Sequence, residues 1–315
     1  MPTTNGVGRI GIRQRPPQYL LDGYPGAALA FSMRRLNSAY NGPVIRIRRA
    51  SDNAEMDINF TASSEVVATN TTSTNYMSGQ LKDSVSESEI INFCGTSNGY
   101  IVRIYDQSGN GNHLNQTTAA NQTALYYNGG DGWYNRGLWS RKQTYGGSSG
   151  KLPFSGGTYN LSSGVQTNDN WTAFSITAGT GFTSRLSAGS SNSYTLMTTY
   201  AFFDGGLRAG SKNKYVMSTG GYNGGPNDPF ILSHYGKSCL YTTTNSNNNM
   251  GIRLNNTNIN LPYVQSSINT GIFDQITPGA MFELILFNTD KSSVNPDIEN
   301  TILSYYSTTW TTFKG

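Results

Sequence analysis

Asp106-Gln107-Ser108-Gly109-Asn110-Gly111-Asn112 packs a carboxylate, a hydroxyl and three amides into seven residues. Two kinds of chemistry suit such a run. Asp106, Ser108, Asn110 and Gly111 follow the opening of a calcium loop of the D-x-[DN]-x-[DN]-G kind. Thr117 stands where that loop needs a bidentate glutamate. The other reading is a turn in which the Asp106 carboxylate accepts backbone N–H bonds, and it is the one expected here. His113 and His234 are the only histidines, and no serine sits in a nucleophile elbow. Phosphate-loop and dinucleotide fingerprints are missing. Cys94 and Cys239 lie far apart and have no metal-ligand spacing, so no metal and no cofactor are expected.

Tyr126, Tyr127, Trp133, Tyr134 and Trp139 cluster among Gly and Asn. Flat rings beside amides suit a sugar, which offers apolar C–H faces and polar hydroxyl edges. They equally suit a subunit interface, where aromatics are enriched. Charge is unevenly spread. Residues 1–50 hold eight Arg against one acid, Asp22, whereas the whole chain carries +4, so the remainder is slightly acidic.

The elements that must position these groups read as mostly β. Charged residues make up only 13% of the 315, and 36 Gly and 20 Tyr accompany abundant Asn, Ser and Thr. That mixture favours short strands and tight turns over helical bundles. Pro25, then Leu29, Met33, Leu36 and Tyr40, predicts a helix over 25–40. Strands are expected at 44–47, 101–105, 171–178, 194–200, 214–217, 230–233 and 281–288. Asn295-Pro296 opens a second short helix with Ile298, Ile302 and Tyr305 on one face. Residues 1–20 read as an extended arm and 21–315 as one domain. In the arm, Val7, Ile10 and Ile12 can bury against a neighbouring chain while Arg9, Arg13 and Arg15 meet acidic surface. No run approaches the roughly 20 apolar residues of a membrane helix, and no apolar run of signal-peptide length opens the chain.

Two segments carry a family resemblance. Ala30–Tyr40 with Ile47–Ala54, and Ile104-Tyr105-Asp106-Gln107-Ser108-Gly109 onward to Gln116, resemble the opening half of the arabinofuranosidase B catalytic domain and the phage and bacterial proteins sharing its sandwich. The resemblance implies an all-β, concanavalin-like two-sheet β-sandwich (jelly roll) with two short helices and the extended arm. It implies a structural role for Arg34, Tyr105, Asp106, Gln107, Ser108 and Gly109. Enzymes of the family are retaining glycosidases, which need two carboxyl groups about 5 Å apart. Ala201-Phe-Phe-Asp204-Gly-Gly-Leu207 is similar to the nucleophile motif, with Asp204 for the family's Glu, and Asp274 is the nearest candidate acid/base. Gly99 stands where the family has the second cysteine of a pair begun at Cys94.

The expectation drawn from these departures is a non-enzymatic structural virion protein of a tailed phage, assembled in the host cytoplasm. Its arm would anchor it to other virion proteins. A homo-oligomer, glycan binding by the sandwich, no membrane insertion and no specific nucleic acid complete that expectation. The alternative is a retaining α-L-arabinofuranosidase acting through Asp204 and Asp274.

Overall fold

The computed structural model describes residues 19–61, 85–127, 132–133, 159–166, 170–178, 185–187, 194–199, 207–211, 214–218, 238–246, 249–258, 263–264, 272–277 and 281–309. The first strands are β1 (Ala27–Ser32), β2 (Ile45–Arg49), β3 (Glu55–Ile58), β4 (Gly99–Ile104), β5 (Leu114–Asn115), β6 (Ala124–Tyr127) and β7 (Gly132–Trp133). Then come β8 (Tyr159–Gln166), β9 (Asn170–Ala178), β10 (Arg185–Ser187), β11 (Tyr194–Thr199), β12 (Leu207–Ser211) and β13 (Lys214–Ser218). The last six are β14 (Ser238–Ser246), β15 (Asn249–Leu254), β16 (Thr257–Asn258), β17 (Tyr263–Val264), β18 (Ile272–Thr277) and β19 (Met281–Phe287). Three α-helices join them among the described residues: α1 (Leu20–Gly23), α2 (Glu87–Cys94) and α3 (Asn295–Thr309).

The strands form two antiparallel sheets. The six-stranded sheet runs β1-β19-β9-β14-β15-β16. The 13-stranded sheet runs β17-β13-β12-β11-β10-β18-β8-β5-β4-β2-β3, with the β6–β7 hairpin added beside β4. The protein is therefore an all-β two-sheet sandwich, as the composition and turn spacing lead one to expect.

Period-two alternation places the cores. Leu29, Phe31, Trp171, Ala173, Leu284 and Leu286 of the smaller sheet meet Ile45, Ile47, Ile101, Ile104 and Leu114 of the larger one between the layers. The neighbouring residues Ala30, Phe174, Ile176, Ile285 and Phe287 face the other way, where Leu20, Leu36, Ile298 and Ile302 cover them. The smaller sheet is thus buried on both faces, beneath the larger sheet on one and beneath α1 and α3 on the other. This explains the departure at 25–40. A strand buried on both faces is apolar at every position and shows no alternation, so its spacing does not separate it from a helix. Pro25 precedes Gly26, whose φ is 87°, and the predicted helix is strand β1 followed by an irregular connection with a turn at Ser38-Ala39. The helix α2 is an addition to the expected elements. Its signal was present: Ser86 caps the Glu89 N–H at 3.3 Å, three residues apart as in a capping box. The expected strand at 230–233 lies outside the described residues.

Candidate functional site

Asp106 sits at the end of β4 and is 1% exposed. Its Oδ1 accepts the Ala30 and Ser108 N–H groups at 2.8 and 2.9 Å. Oδ2 accepts the Ser108 hydroxyl at 2.7 Å and the Asn112 N–H at 3.0 Å. Four donors occupy the carboxylate, so it offers little to a cation or a substrate. Gln107, fully buried, accepts the Leu36 N–H at 2.7 Å and donates to the Ser32 and Arg34 carbonyls at 2.9 Å each. Asn110 donates to the Ala27 carbonyl and Asn112 to the Ala28 carbonyl. Gly109 and Gly111 make the turn possible with φ of 92° and 74°.

These bonds have one target. β1 lies at the edge of the smaller sheet, and its outward backbone groups would otherwise be unpaired. The loop answers them with side chains where a strand would use backbone. Because the loop continues from β4 in the other sheet, it also staples the two layers. Asp106→Ala is expected to lower stability by about 2–3 kcal/mol, since it strands buried donors. Chemical denaturation against the wild type measures this, and a change under about 0.5 kcal/mol contradicts the stapling role.

His113 follows the loop. Its Nδ1 accepts the Asp106 N–H at 3.1 Å and its ring lies edge-on to Tyr105 at 5.0 Å. Burial holds its pKa below the ordinary 6.5, against the opposing pull of the Asp106 carboxylate. The unfolded chain then binds the proton more readily than the folded one. Stability from this site is complete above the unfolded pKa of roughly 6.5 and falls as pH drops toward the folded value. We expect His113→Gln to flatten stability against pH below about 6.5, as followed by denaturation at a series of pH values; an unchanged slope counts against this.

The outer face of the larger sheet carries a second cluster. Arg46 grips Asp57 with two bonds of 2.7 Å, and the Tyr105 hydroxyl donates to Asp57 at 2.7 Å. The Arg46 guanidinium accordingly holds the Asp57 carboxyl below its usual range. Arg103 donates to Asn115, whose amide reaches Ser162.

The remaining sequence candidates are placed as follows. Arg34 lies on the helix side of the smaller sheet, paired through two bonds of 2.8 and 2.9 Å with Glu283 of β19, which is 1% exposed. Sequence reasoning singled out Arg34 and missed Glu283. The signal was a lone acid inside Met281-Phe-Glu-Leu-Ile-Leu-Phe287, where a buried carboxylate needs a partner. Tyr126 and Trp133 are cross-strand partners in the β6–β7 hairpin, and Tyr127 pairs with Gly132. Tyr134, Trp139, His234, Asp204 and the arm residues Val7, Arg9, Ile10, Ile12, Arg13 and Arg15 lie outside the described residues. Asp274 belongs to β18, where the register with β8 breaks between Phe273 and Gln275. Asp204 precedes Leu207, the first residue of β12, and β11 and β10 separate β12 from β18 in the sheet. Among the described residues no group of three or more His, Cys, Asp or Glu could hold a metal ion, and no helix is long and apolar enough to cross a membrane. Cys94 is free and buried at the end of α2.

The fold is an all-β two-sheet sandwich whose layers are stapled by the loop after β4. Residues 18–135 match the family described as "Alpha-L-arabinofuranosidase B, catalytic". The chain is 36% identical over 98 residues to alpha-L-arabinofuranosidase B of Emericella nidulans, covering 31% of this chain and 16% of that protein. It is 30% identical over 113 residues to a probable alpha-L-arabinofuranosidase B of Aspergillus fumigatus, covering 36% and 19%. The match thus spans less than a fifth of each curated relative. A GH54 arabinofuranosidase mutant soaked with 4-nitrophenyl arabinofuranoside shares the fold at a TM-score of 0.55 and 14% identity, over 90% of this chain and 63% of that one. A GH54 arabinofuranosidase soaked with a cyclic sulfate inhibitor does so at 0.54.

These likenesses correct the expectation of a non-enzymatic phage virion protein assembled in a host cytoplasm. The named relatives are fungal arabinofuranosidases, and no virion protein stands among them. The error had a physical source. It gave weight to the arm, the opening without a signal-like apolar run, the unmatched Cys94 and the departures in the catalytic motifs, whereas retaining hydrolysis demands only two carboxyls at a set separation.

Proposed function

We propose that this sandwich is a retaining glycoside hydrolase of the α-L-arabinofuranosidase type, with Asp204 as nucleophile and Asp274 as acid/base. The observation that carries the reading is the family match over residues 18–135, which includes β1, β2, β4 and the stapling loop. In this reading the domain proposed to start at residue 21 begins one residue earlier, because Leu20 of the proposed arm is packed in its core.

The chemistry balances with two carboxyls. The Asp204 carboxylate attacks the anomeric carbon as the glycosidic C–O bond breaks, and the Asp274 carboxyl gives its proton to the leaving oxygen. Asp274, now ionised, takes a proton from water, whose oxygen displaces Asp204 and releases the sugar with its configuration retained. In the sheet β11 and β10 lie between β12 and β18, and the reading requires the two carboxyls to meet at about 5 Å. Turnover of 4-nitrophenyl α-L-arabinofuranoside by purified protein tests the reading, and its absence overturns it.

A further inference from the structure

We propose that the outer face of the larger sheet is a binding lane for an acidic polysaccharide, a linear sugar chain bearing carboxylates. The inference rests on the glycosidase reading for the polymer being a sugar, and on the sheet's own register for the lane's course.

The register aligns polar residues in one transverse row. Asp57 stands opposite Arg46, Arg46 opposite Arg103, Arg103 opposite Asn115, and Asn115 opposite Asn160. Residues directly opposite on antiparallel strands share a face. The adjacent row fixes which face this is. Ile58, Ile45, Ile104, Leu114 and Leu161 pair with one another in the same order and are at most 8% exposed, all within the inter-layer core. The polar row therefore lies on the opposite, outer side, and Asn160 is exposed there. It crosses five strands, roughly 19 Å, enough for several sugar rings.

Charge identifies the occupant. Arg103 donates to the neutral Asn115 and lies 5.6 Å from the centre of the Tyr105 ring. One row along, Arg48 donates to Gln122 at 2.7 Å and Asn53 at 2.8 Å and lies 5.0 Å from the centre of the Tyr100 ring. Both guanidiniums are held by amides and rings, and among the described residues neither makes an ion pair. Glu55 stands opposite Arg48 in register. Arg46, by contrast, is neutralised by Asp57. Two oriented guanidiniums held outside any ion pair fit carboxylates, while the amide groups of the row fit sugar hydroxyls.

The test uses the full chain in affinity electrophoresis and titration calorimetry with polygalacturonate and with the same polymer after carboxyl reduction. Wild type should bind the acidic polymer about tenfold more tightly than the reduced one. The preference should shrink as salt rises from about 20 to 200 mM. R103Q and R48Q should each weaken acidic-polymer binding about fivefold. Asn160→Asp, an exposed change that adds a like charge, should also weaken it without touching the Arg contacts. Equal affinity for both polymers, or full affinity in the R48Q/R103Q double variant, overturns the lane. Turnover of the aryl arabinofuranoside, too small to span the row, should persist in all these variants. Carboxyl-dependent binding without that turnover sinks the glycosidase reading alone, and turnover without carboxyl preference sinks the lane alone.

Discussion

Asp204→Ala should abolish hydrolysis of 4-nitrophenyl α-L-arabinofuranoside, with a loss on the order of 10⁴-fold or more, as expected when a nucleophile is removed. The reason is that the first chemical step is then without an attacking atom, while the departing nitrophenolate needs little help. Added azide should restore part of the rate in this variant by entering the vacated space, and its product should have inverted configuration. In Asp274→Ala the same anion should give a product of retained configuration, because the covalent intermediate still forms and only its breakdown lacks a base. Asp204→Glu is the sharper probe. The family's nucleophile is a glutamate, and a displacement of about 1 Å can cost about 100-fold. If the site keeps the family's dimensions, the longer side chain should raise kcat by as much as that factor. Wild-type rates in Asp204→Ala would exclude Asp204 from the chemistry. A rate lowered by the glutamate would mean that the site has been rebuilt around the shorter residue.

Glu283→Ala should lower stability by about 3–5 kcal/mol. Glu283 and Arg34 are 1% and 7% exposed, and the pair is bidentate, with the Ser32 hydroxyl donating to the same carboxylate at 2.9 Å. Arg34 also lies over the Tyr305 ring of α3 at 4.3 Å. Removing the carboxylate leaves a buried guanidinium without its counter-charge, which is far worse than never having buried either ion. The double variant Arg34→Met/Glu283→Leu should therefore recover most of the loss, since it fills the space with apolar atoms. Thermal and denaturant unfolding of the two single variants and the double variant measure the coupling. A loss below about 1 kcal/mol in Glu283→Ala, or a double variant as unstable as the single ones, would show that the pair is not what holds α3 and the β1 connection to the sheet. A similar pair, Arg253 with the fully buried Glu299, ties α3 to β15 at 2.8 Å.

What the chain alone determined was local chemistry. Turn residues at short intervals and alternating apolar positions implied the sandwich. Asn295-Pro296 marked the start of α3, and the Asp106–Asn112 composition marked a self-bonding turn. Each of these depends on groups within a few residues of one another. Pairings between distant segments were decided only by the tertiary structure. Nothing near Ala30 in sequence announces that an Asp 76 residues away accepts its N–H and completes the edge of its sheet. Nothing near Arg34 points to Glu283, 249 residues on. The strand at 27–32 was misread as helix because burial on both faces erases the period that local reading depends on. The transverse row from Asp57 to Asn160 was likewise invisible. Its members come from five strands in three separate stretches of chain, and only backbone register, set by which rows can enter the core, brings them into line.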